Sequence, residues 1–156
     1  MNAIVSWHRL SFVELSNQQL YALMQLRQEV FVVEQDCVYL DVDGYDQDAW
    51  HILGDKNHEL VAYCRILSPG KKYQEASIGR VVTAKSARRT GLGQTLMQQA
   101  LACVRQQFGA VDVRISAQLY LKEFYQAFNF NAVSQPYDED GIPHIEMLYQ
   151  CEGEQL

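Results

Sequence analysis

The first third of the chain carries a strand pattern followed by a helix pattern. Apolar and polar residues alternate loosely over residues 4–12, which is typical of a strand. Ser16 and Gln19 then form the sequence signature of a capping box at the start of a helix. Apolar residues recur at helical spacing behind this box, so a first helix is predicted over residues 17–33.

The middle of the chain combines strand patterns with one strongly amphipathic helix. Apolar residues fall on one face of the helix that is predicted over residues 92–108. Short apolar runs bounded by turn formers predict strands on either side of it. The predicted strands are residues 51–54 and 59–67, joined as a hairpin by the turn at 55–58, followed by 76–84 and 111–117.

The last part of the chain predicts a short helix and two further strands. The helix covers residues 121–128, and the two strands fall within residues 130–149, joined by a loop at 138–141. Residues 78–117 form one strand–helix–strand crossover, which predicts a parallel pair with a right-handed connection. The expected fold class is α/β, or α+β with a mixed sheet, with helices on both faces and one domain over residues 1–156.

The composition is that of a globular protein with an acidic balance. Of 156 residues, 48% are hydrophobic and 21% are charged, and the formal net charge is −6. A nonspecific nucleic-acid binder needs a basic surface, so nucleic acid is not an expected partner. No apolar run is long enough to predict a membrane span. The amino terminus lacks the pattern of a secretory signal, so a cytoplasmic location is expected.

The four cysteines do not indicate a zinc site. They form no Cys-x-x-Cys pair, and no two histidines lie near them at zinc spacing. Cys64 and Cys103 fall in apolar segments and are expected to be buried thiols. No metal is therefore expected.

The residues between the 76–84 strand and the 92–108 helix are the most informative in the chain. Their sequence is Arg88-Arg89-Thr90-Gly91-Leu92-Gly93. Glycines let a backbone approach a ligand closely, and a helix start offers unpaired N–H groups and a positive dipole end, which suits a pyrophosphate. Walker A and Rossmann loops are excluded, because Gly-Lys-Ser/Thr and a third glycine are missing. The structural alternative is a helix start with glycines for a tight turn.

Two motifs resemble those of the GNAT superfamily of N-acetyltransferases. The run Arg88-x-x-Gly91-x-Gly93 resembles the family pattern Q/R-x-x-G-x-G/A, and Phe124-Tyr125-x-x-x-Asn129-Phe130 resembles F-Y-x-x-x-G-F. Further segments resemble the ElaA-like subgroup of this family. They are Phe31-Val32-Val33-Glu34-Gln35, His51-Ile52-Leu53-Gly54, Ile78-Gly79-Arg80-Val81 and Glu139-Asp140-Gly141-Ile142-Pro143-His144.

This resemblance implies the GNAT fold and acetyl-CoA as co-substrate. In the family the coenzyme lies between two splayed parallel strands of the sheet. The first strand binds the pantetheine through its backbone, and the loop and helix start bind the pyrophosphate. Carried over to this chain, the binding residues are Val81, Val82 and Thr83 on the strand, and Arg88, Arg89, Thr90, Gly91, Leu92, Gly93 and Gln94 at the pyrophosphate.

The resemblance also implies a direct attack of a neutral amine on the thioester. Tyr125 matches the position of the family's general acid, which protonates the leaving thiolate; the alternative is a Tyr125 that only packs or hydrogen-bonds the sulfur. The general base is left open between Glu34, His51, His144 and a chain of water molecules.

An acidic segment holds Asp41, Asp43, Asp46 and Asp48 around Gly44. It does not match an EF-hand, because the glutamate and the third ligand position of that motif are missing. A solvated loop is therefore expected. Arg27 is expected to be a structural ion-pair residue and not a site residue, and Arg80 is open between the two roles.

The predicted function is that of an N-acetyltransferase that uses acetyl-CoA and acts on a primary amine of a small molecule or peptide. Two alternatives stay open: a CoA-binding module without catalysis, and an acyltransferase that uses a longer acyl-CoA. The acceptor is not identified by the sequence, and the oligomeric state is open, with a homodimer as one option. No membrane partner is expected.

Overall fold

The computed structural model describes residues 4–151, in which eight strands form one mixed sheet that does not close. The strand order is β1-β2-β3-β4-β5-β8-β6, and β7 also pairs with β8. The strands are β1 (Ser6–Ser11), β2 (Trp50–Lys56), β3 (Glu59–Leu67), β4 (Ala76–Thr83), β5 (Val113–Gln118), β6 (Phe130–Ala132), β7 (Tyr137–Glu139) and β8 (Ile142–Tyr149). The helices are α1 (Asn17–Arg27), α2 (Leu92–Phe108) and α3 (Lys122–Gln126).

The first helix begins at the predicted capping box. The backbone N–H of Gln19 donates to the Ser16 hydroxyl at 3.0 Å, and the N–H of Ser16 donates to the Gln19 side chain at 2.9 Å. The predicted helix over residues 17–33 differs in its second half, because α1 gives way to a π-helical turn over Gln28–Glu34. There the carbonyl of Val30 accepts from an N–H five residues later, at 3.0 Å.

Helices α1 and α2 cover opposite faces of the sheet, as the fold class predicts. Adjacent residues of a strand point to opposite faces, so Leu53 and Ile52 of β2 enter different cores. The α1 face contains Leu23, Leu26, Val30, Leu53, Tyr63 and Val82. On the other face α2 packs Leu96, Met97, Ala100 and Cys103 on Ile52, Cys64 and Ile66. The burial expected of Cys64 and Cys103 is confirmed.

Strands β4 and β5 are parallel, as predicted, but they pair only at their beginnings. The paired positions are Ala76 with Val113 and Ser77 with Arg114. Further along, β4 contains a bulge: its register against β3 shifts by one residue, and Arg80 has a positive φ of 52°. Beyond Ser77 the two strands separate, and the edge of β4 that faces β5 is left unpaired over several residues.

The end of the chain contains three strands where two were predicted. Asp138 and Glu139, assigned above to a loop, belong to β7 and pair with Pro143 and Ile142 of β8. The turn is only Asp140 and Gly141, which both have positive φ, as the tight turn of a hairpin with two connecting residues requires.

Candidate active site

The gap between β4 and β5 opens into a cleft of about 160 Å³. Its walls come from β4, β5, the β7–β8 hairpin and the segment after the π-helical turn. Val81, Gln118, Tyr125 and His144 all line it. Two of the predicted catalytic residues, Tyr125 and His144, therefore meet in one cleft beside the predicted pantetheine strand.

A second cavity lies at the start of α2 and is lined by most of the residues predicted to bind pyrophosphate. Gly91 precedes the helix with a φ of 80° and offers no side chain to cap it. The N–H groups of the first turn are therefore not satisfied by a capping side chain, which leaves them for an anion. The lining residues are Thr83, Ala87, Arg88, Arg89, Gly91, Leu92, Gly93, Gln94 and Phe124.

The side chains of Thr90 and Val82, two residues predicted to bind the coenzyme, do not line this cavity. The hydroxyl of Thr90 donates to the carbonyl of Ala87 at 2.7 Å, which fixes the turn before α2. The side chain of Val82 is buried in the core under α1. Only the backbone of Val82 is thus left for a ligand, which is the role that the family resemblance gives it.

Glu34 and Arg88, two predicted site residues, bind each other. The Arg88 guanidinium donates to both carboxylate oxygens of Glu34, at 2.6 and 2.9 Å. This hydrogen-bonded pairing lowers the pKa of Glu34. The carboxylate is therefore a weaker base than an unpaired glutamate, and it ties the end of the π-helical turn to the predicted pyrophosphate loop.

Tyr125 is buried among aromatic rings at the inner end of the cleft. Its ring lies edge-on to Phe124 and Phe130, with centroids at 5.1 and 6.0 Å. Burial raises the pKa of its phenol. The hydroxyl therefore keeps its proton at neutral pH and can donate it to an anion that forms in the cleft.

His144 is the predicted base with direct access to this cleft. Its Nδ1 lies 2.7 Å from the carbonyl oxygen of Ile142, and its Nε2 lies 3.2 Å from a carboxylate oxygen of Glu139. The ring stacks on Tyr137 with an interplanar angle of 27°. These three contacts hold the imidazole in one orientation.

His51 does not reach the cleft, so its predicted role as a base is corrected. Its side chain is completely buried between β2 and the acidic segment. One ring nitrogen lies 2.6 Å from the Tyr63 hydroxyl and the other 2.9 Å from the carbonyl of Asp46. Burial lowers the pKa of His51, and with both nitrogens occupied the residue cross-links the core.

The expectation of a solvated acidic loop is wrong for Asp41 and Asp46, whereas Asp48 is exposed as expected. Asp41 and Asp46 are 4% and 3% exposed, because both bind the fully buried Arg27 at 2.7 Å. Arg27 is thus the structural ion-pair residue that was expected. We call the whole set the arginine–aspartate cluster; it consists of Arg27, Arg65 and Arg80 with Asp41, Asp43 and Asp46.

The arginine–aspartate cluster forms part of the cleft wall. Arg65 and Arg80 line the cleft together with Tyr39, whose hydroxyl donates to Asp41 at 2.7 Å. Three positive and three negative charges balance within the cluster. Loop composition did not reveal this, because the three arginines lie far from the loop in sequence.

The sequence reasoning also missed Glu139 and Ser116, which line the cleft beside His144. The dipeptide Asp140-Gly141 is a strong signal for a two-residue hairpin turn. A hairpin at this turn would have placed Glu139 and His144 near each other on one face of β7 and β8.

Residues 4–151 contain no group of three histidine, cysteine or acidic side chains placed to hold a metal ion. No helix in that range is long and apolar enough to cross a membrane.

Known proteins resemble this chain in both sequence and fold. A family model described as an acetyltransferase (GNAT) domain matches residues 13–151. The protein ElaA of Escherichia coli is 47% identical over 146 residues, covering 92% of this chain and 95% of ElaA. The crystal structure of ElaA superposes with a TM-score of 0.89 over 94% of this chain and 100% of that chain. An acyl-CoA N-acyltransferase from Pseudomonas aeruginosa is 41% identical, with a TM-score of 0.89 over 93% of this chain and 99% of that chain.

Proposed function

This chain belongs to the GNAT acetyltransferase family, in its ElaA-like subgroup, and from that premise we propose that it transfers an acetyl group from acetyl-CoA to a primary amine. The proposal depends mainly on one observation: the cavity at the uncapped start of α2 and the cleft between β4 and β5 lie along the same strand, β4. Tyr125 lines the cleft.

The residues at the start of α2 fit a pyrophosphate. Gly91 leaves the first N–H groups of the helix without a side-chain cap, and Arg89 supplies positive charge beside the ion pair of Arg88 with Glu34. The unpaired edge of β4 beyond Ser77 fits the amide groups of pantetheine, which need backbone partners. These features support an acyl-CoA as the donor.

The side chains of the cleft support amine acylation in two roles. Tyr125 keeps its proton because burial raises its pKa, so it suits the protonation of a leaving thiolate. His144 offers a ring nitrogen in the same cleft. Glu34 is bound to Arg88 and His51 is buried elsewhere, so His144 is the one of the three candidate side chains that the geometry favours as a base, with a chain of water molecules as the alternative.

The proposal is tested by calorimetry of CoA binding beside a thiol-release assay with acetyl-CoA and a panel of amines. The panel contains polyamines, amino acids, aminoglycosides and a lysine peptide, and hexanoyl-CoA serves as the longer donor. We expect CoA to bind and acetyl-CoA to release thiol with one class of amine. Failure of CoA to bind would overturn the proposal, and turnover with hexanoyl-CoA alone would replace the acetyl donor by a longer one.

The variant Tyr125→Phe separates catalysis from binding. Loss of the general acid is expected to lower kcat about a hundredfold, with the affinity for CoA within about twofold of wild type. Tyr21→Phe is the matched control, because Tyr21 is exposed on α1. Wild-type kcat in Tyr125→Phe would remove the acid role and leave Tyr125 as a packing residue.

A further inference from the structure

Glu139 and His144 form a diagonal pair across the β7–β8 hairpin. In the register of this hairpin, Tyr137 lies opposite His144 and Glu139 lies opposite Ile142. Diagonal neighbours on one face of an antiparallel pair are within reach of long side chains. The pair is realised here, with Nε2 of His144 at 3.2 Å from a carboxylate oxygen of Glu139.

The partners of His144 decide which ring nitrogen can act as a base. Its Nδ1 lies 2.7 Å from the carbonyl oxygen of Ile142. A carbonyl oxygen only accepts hydrogen bonds, so Nδ1 carries a proton and donates it. In a neutral ring the lone pair is therefore on Nε2, the nitrogen beside Glu139.

The contact with Glu139 is favourable only when Nε2 also carries a proton. A carboxylate is an acceptor, and it repels the lone pair of a neutral Nε2 but attracts an imidazolium. The Glu139 side chain is 48% exposed, whereas that of His144 is 9% exposed. The imidazole is therefore shielded from water, while the carboxylate stays partly solvated.

Two more side chains fix this arrangement. The hydroxyl of Ser116 on β5 lies 3.4 Å from the second carboxylate oxygen of Glu139 and is hydrogen-bonded to the hydroxyl of Tyr137. Tyr137 in turn stacks on the ring of His144. Ser116, Glu139 and His144 all line the cleft that holds Tyr125, so the dyad faces the space in which an acceptor amine would react.

We propose that Glu139 is a positioning residue for His144: the Ile142 carbonyl holds the proton of the neutral ring on Nδ1, and Glu139 stabilises the imidazolium that forms when Nε2 takes up a proton. This inference rests on the proposed function. In the reaction the amine nitrogen bonds to the thioester carbonyl carbon, and the bond from that carbon to sulfur breaks. The amine proton goes to Nε2 of His144, and Tyr125 gives its proton to the sulfur. His144 then loses a proton to water and Tyr125 gains one, which restores both residues.

Other charged groups near the dyad do not replace Glu139. On β8, Glu146 lies 3.9 Å from Arg114. Lys72 lines the same cleft and interacts electrostatically with Glu139. Asp140, at the hairpin turn, also lines the cleft, and its carbonyl accepts a hydrogen bond from the Cys37 thiol at 3.2 Å. Only Glu139 brings a carboxylate within salt-bridge distance of His144 in the described residues.

The direct test is nitrogen NMR of the histidine rings, which needs no acceptor. The chain has four histidines, and His144→Gln assigns the signal of His144. In wild type we expect the neutral ring to carry its proton on Nδ1. In Glu139→Gln, the Nε2 signal of His144 should shift, because the amide of Gln can donate a hydrogen bond to the Nε2 lone pair whereas a carboxylate only accepts. Glu59→Gln, at the exposed end of the β2–β3 hairpin, controls for the lost charge.

Two results would overturn the inference: a neutral ring with its proton on Nε2, or an Nε2 signal of His144 that is unchanged in Glu139→Gln. With the acceptor amine that the panel of the thiol-release assay identifies, Glu139→Gln should lower kcat about tenfold and leave the affinity for CoA unchanged. Glu139→Asp, which keeps the carboxylate, should restore part of the lost kcat. An absence of CoA binding in wild type would refute the proposed function instead, while the NMR result would still decide the protonation of His144.

Discussion

Gly91 and Gly93 lie two residues apart in the motif, but the structure gives them different physical roles. Gly91 has a φ of 80°, and a Cβ built there would meet no atom within 4 Å. The penalty of Gly91→Ala is therefore conformational and amounts to about 1–2 kcal/mol. Gly93 lies inside the first turn of α2 without a positive φ, and its Cβ would lie 3.6 Å from Phe124, an ordinary contact. Gly93→Ala should therefore not destabilise the fold, and it gains up to about 1 kcal/mol as a helical residue.

The two variants separate the ligand-binding interpretation of this turn from the purely structural one. Gly91→Ala should lower Tm by about 2–8 °C, since 1 kcal/mol corresponds to about 2–4 °C at this chain length. Gly93→Ala should keep or raise Tm, yet weaken CoA binding at least about tenfold, or 1.4 kcal/mol, because the added methyl group stands where the backbone borders the cavity. Thermal unfolding and calorimetry of the same samples measure both effects. Unchanged CoA affinity in a stable Gly93→Ala would refute the reasoning and leave the glycines a structural role only.

Three further predictions concern the arginine–aspartate cluster, and urea unfolding checks each of them. Arg27→Met should cost about 3–5 kcal/mol, because it removes a charged partner from the buried Asp41 and Asp46 and leaves three carboxylates with two guanidinium groups. Arg114→Met, at a partly exposed pair with Glu75, should cost about 1 kcal/mol or less, and equal losses for the two variants would contradict this. Burial opposes the ionisation of Asp43, but hydrogen bonds and charge from Arg65 outweigh it and lower its pKa to about 2. The stability that the ionised Asp43 contributes is fully present above its unfolded pKa of about 3.9 and is lost as pH falls through about 2. A free energy of unfolding that stays constant between these two pH values would contradict the lowered pKa of Asp43. Arg80→Gly should be more stable than Arg80→Ala by about 1 kcal/mol. Both variants lose the ion pairs, but only glycine adopts a φ of 52° without strain. A higher stability of Arg80→Ala than of Arg80→Gly would exclude backbone strain at the bulge.

Local patterns predicted the elements that local physics determines. The capping box at Ser16 identified the start of α1, and the amphipathic pattern predicted α2 with the bounds that the structure has, Leu92–Phe108. The glycine-containing turn before α2 was predicted as an anion site, and the structure places a cavity there. In each case neighbours within a few residues supply the decisive interactions, so the sequence contains the information in readable form.

The failures occurred where partners lie far apart along the chain. A run of aspartates around Gly44 has the composition of a solvated loop, and only Arg27, Arg65 and Arg80 make its burial favourable. The side of the sheet to which the His51 side chain points was also not predictable. Strand β2 is buried on both faces, so its sequence lacks the alternation of apolar and polar residues that would distinguish them. The π-helical turn after α1 also escaped prediction, because apolar spacing at its residues fits a continued α-helix equally well.

The arginine–aspartate cluster and the gap between β4 and β5 depend on the same residue. The positive φ of Arg80 belongs to the bulge that follows the last β4–β5 pair, and a residue with a side chain pays about 1 kcal/mol for this conformation. Its guanidinium binds Asp41 at 2.8 Å and Asp43 at 3.1 Å, and Arg27 and Arg65 hold those carboxylates from the other side. The ion pairs therefore stabilise a backbone conformation that opens the sheet at the predicted coenzyme site.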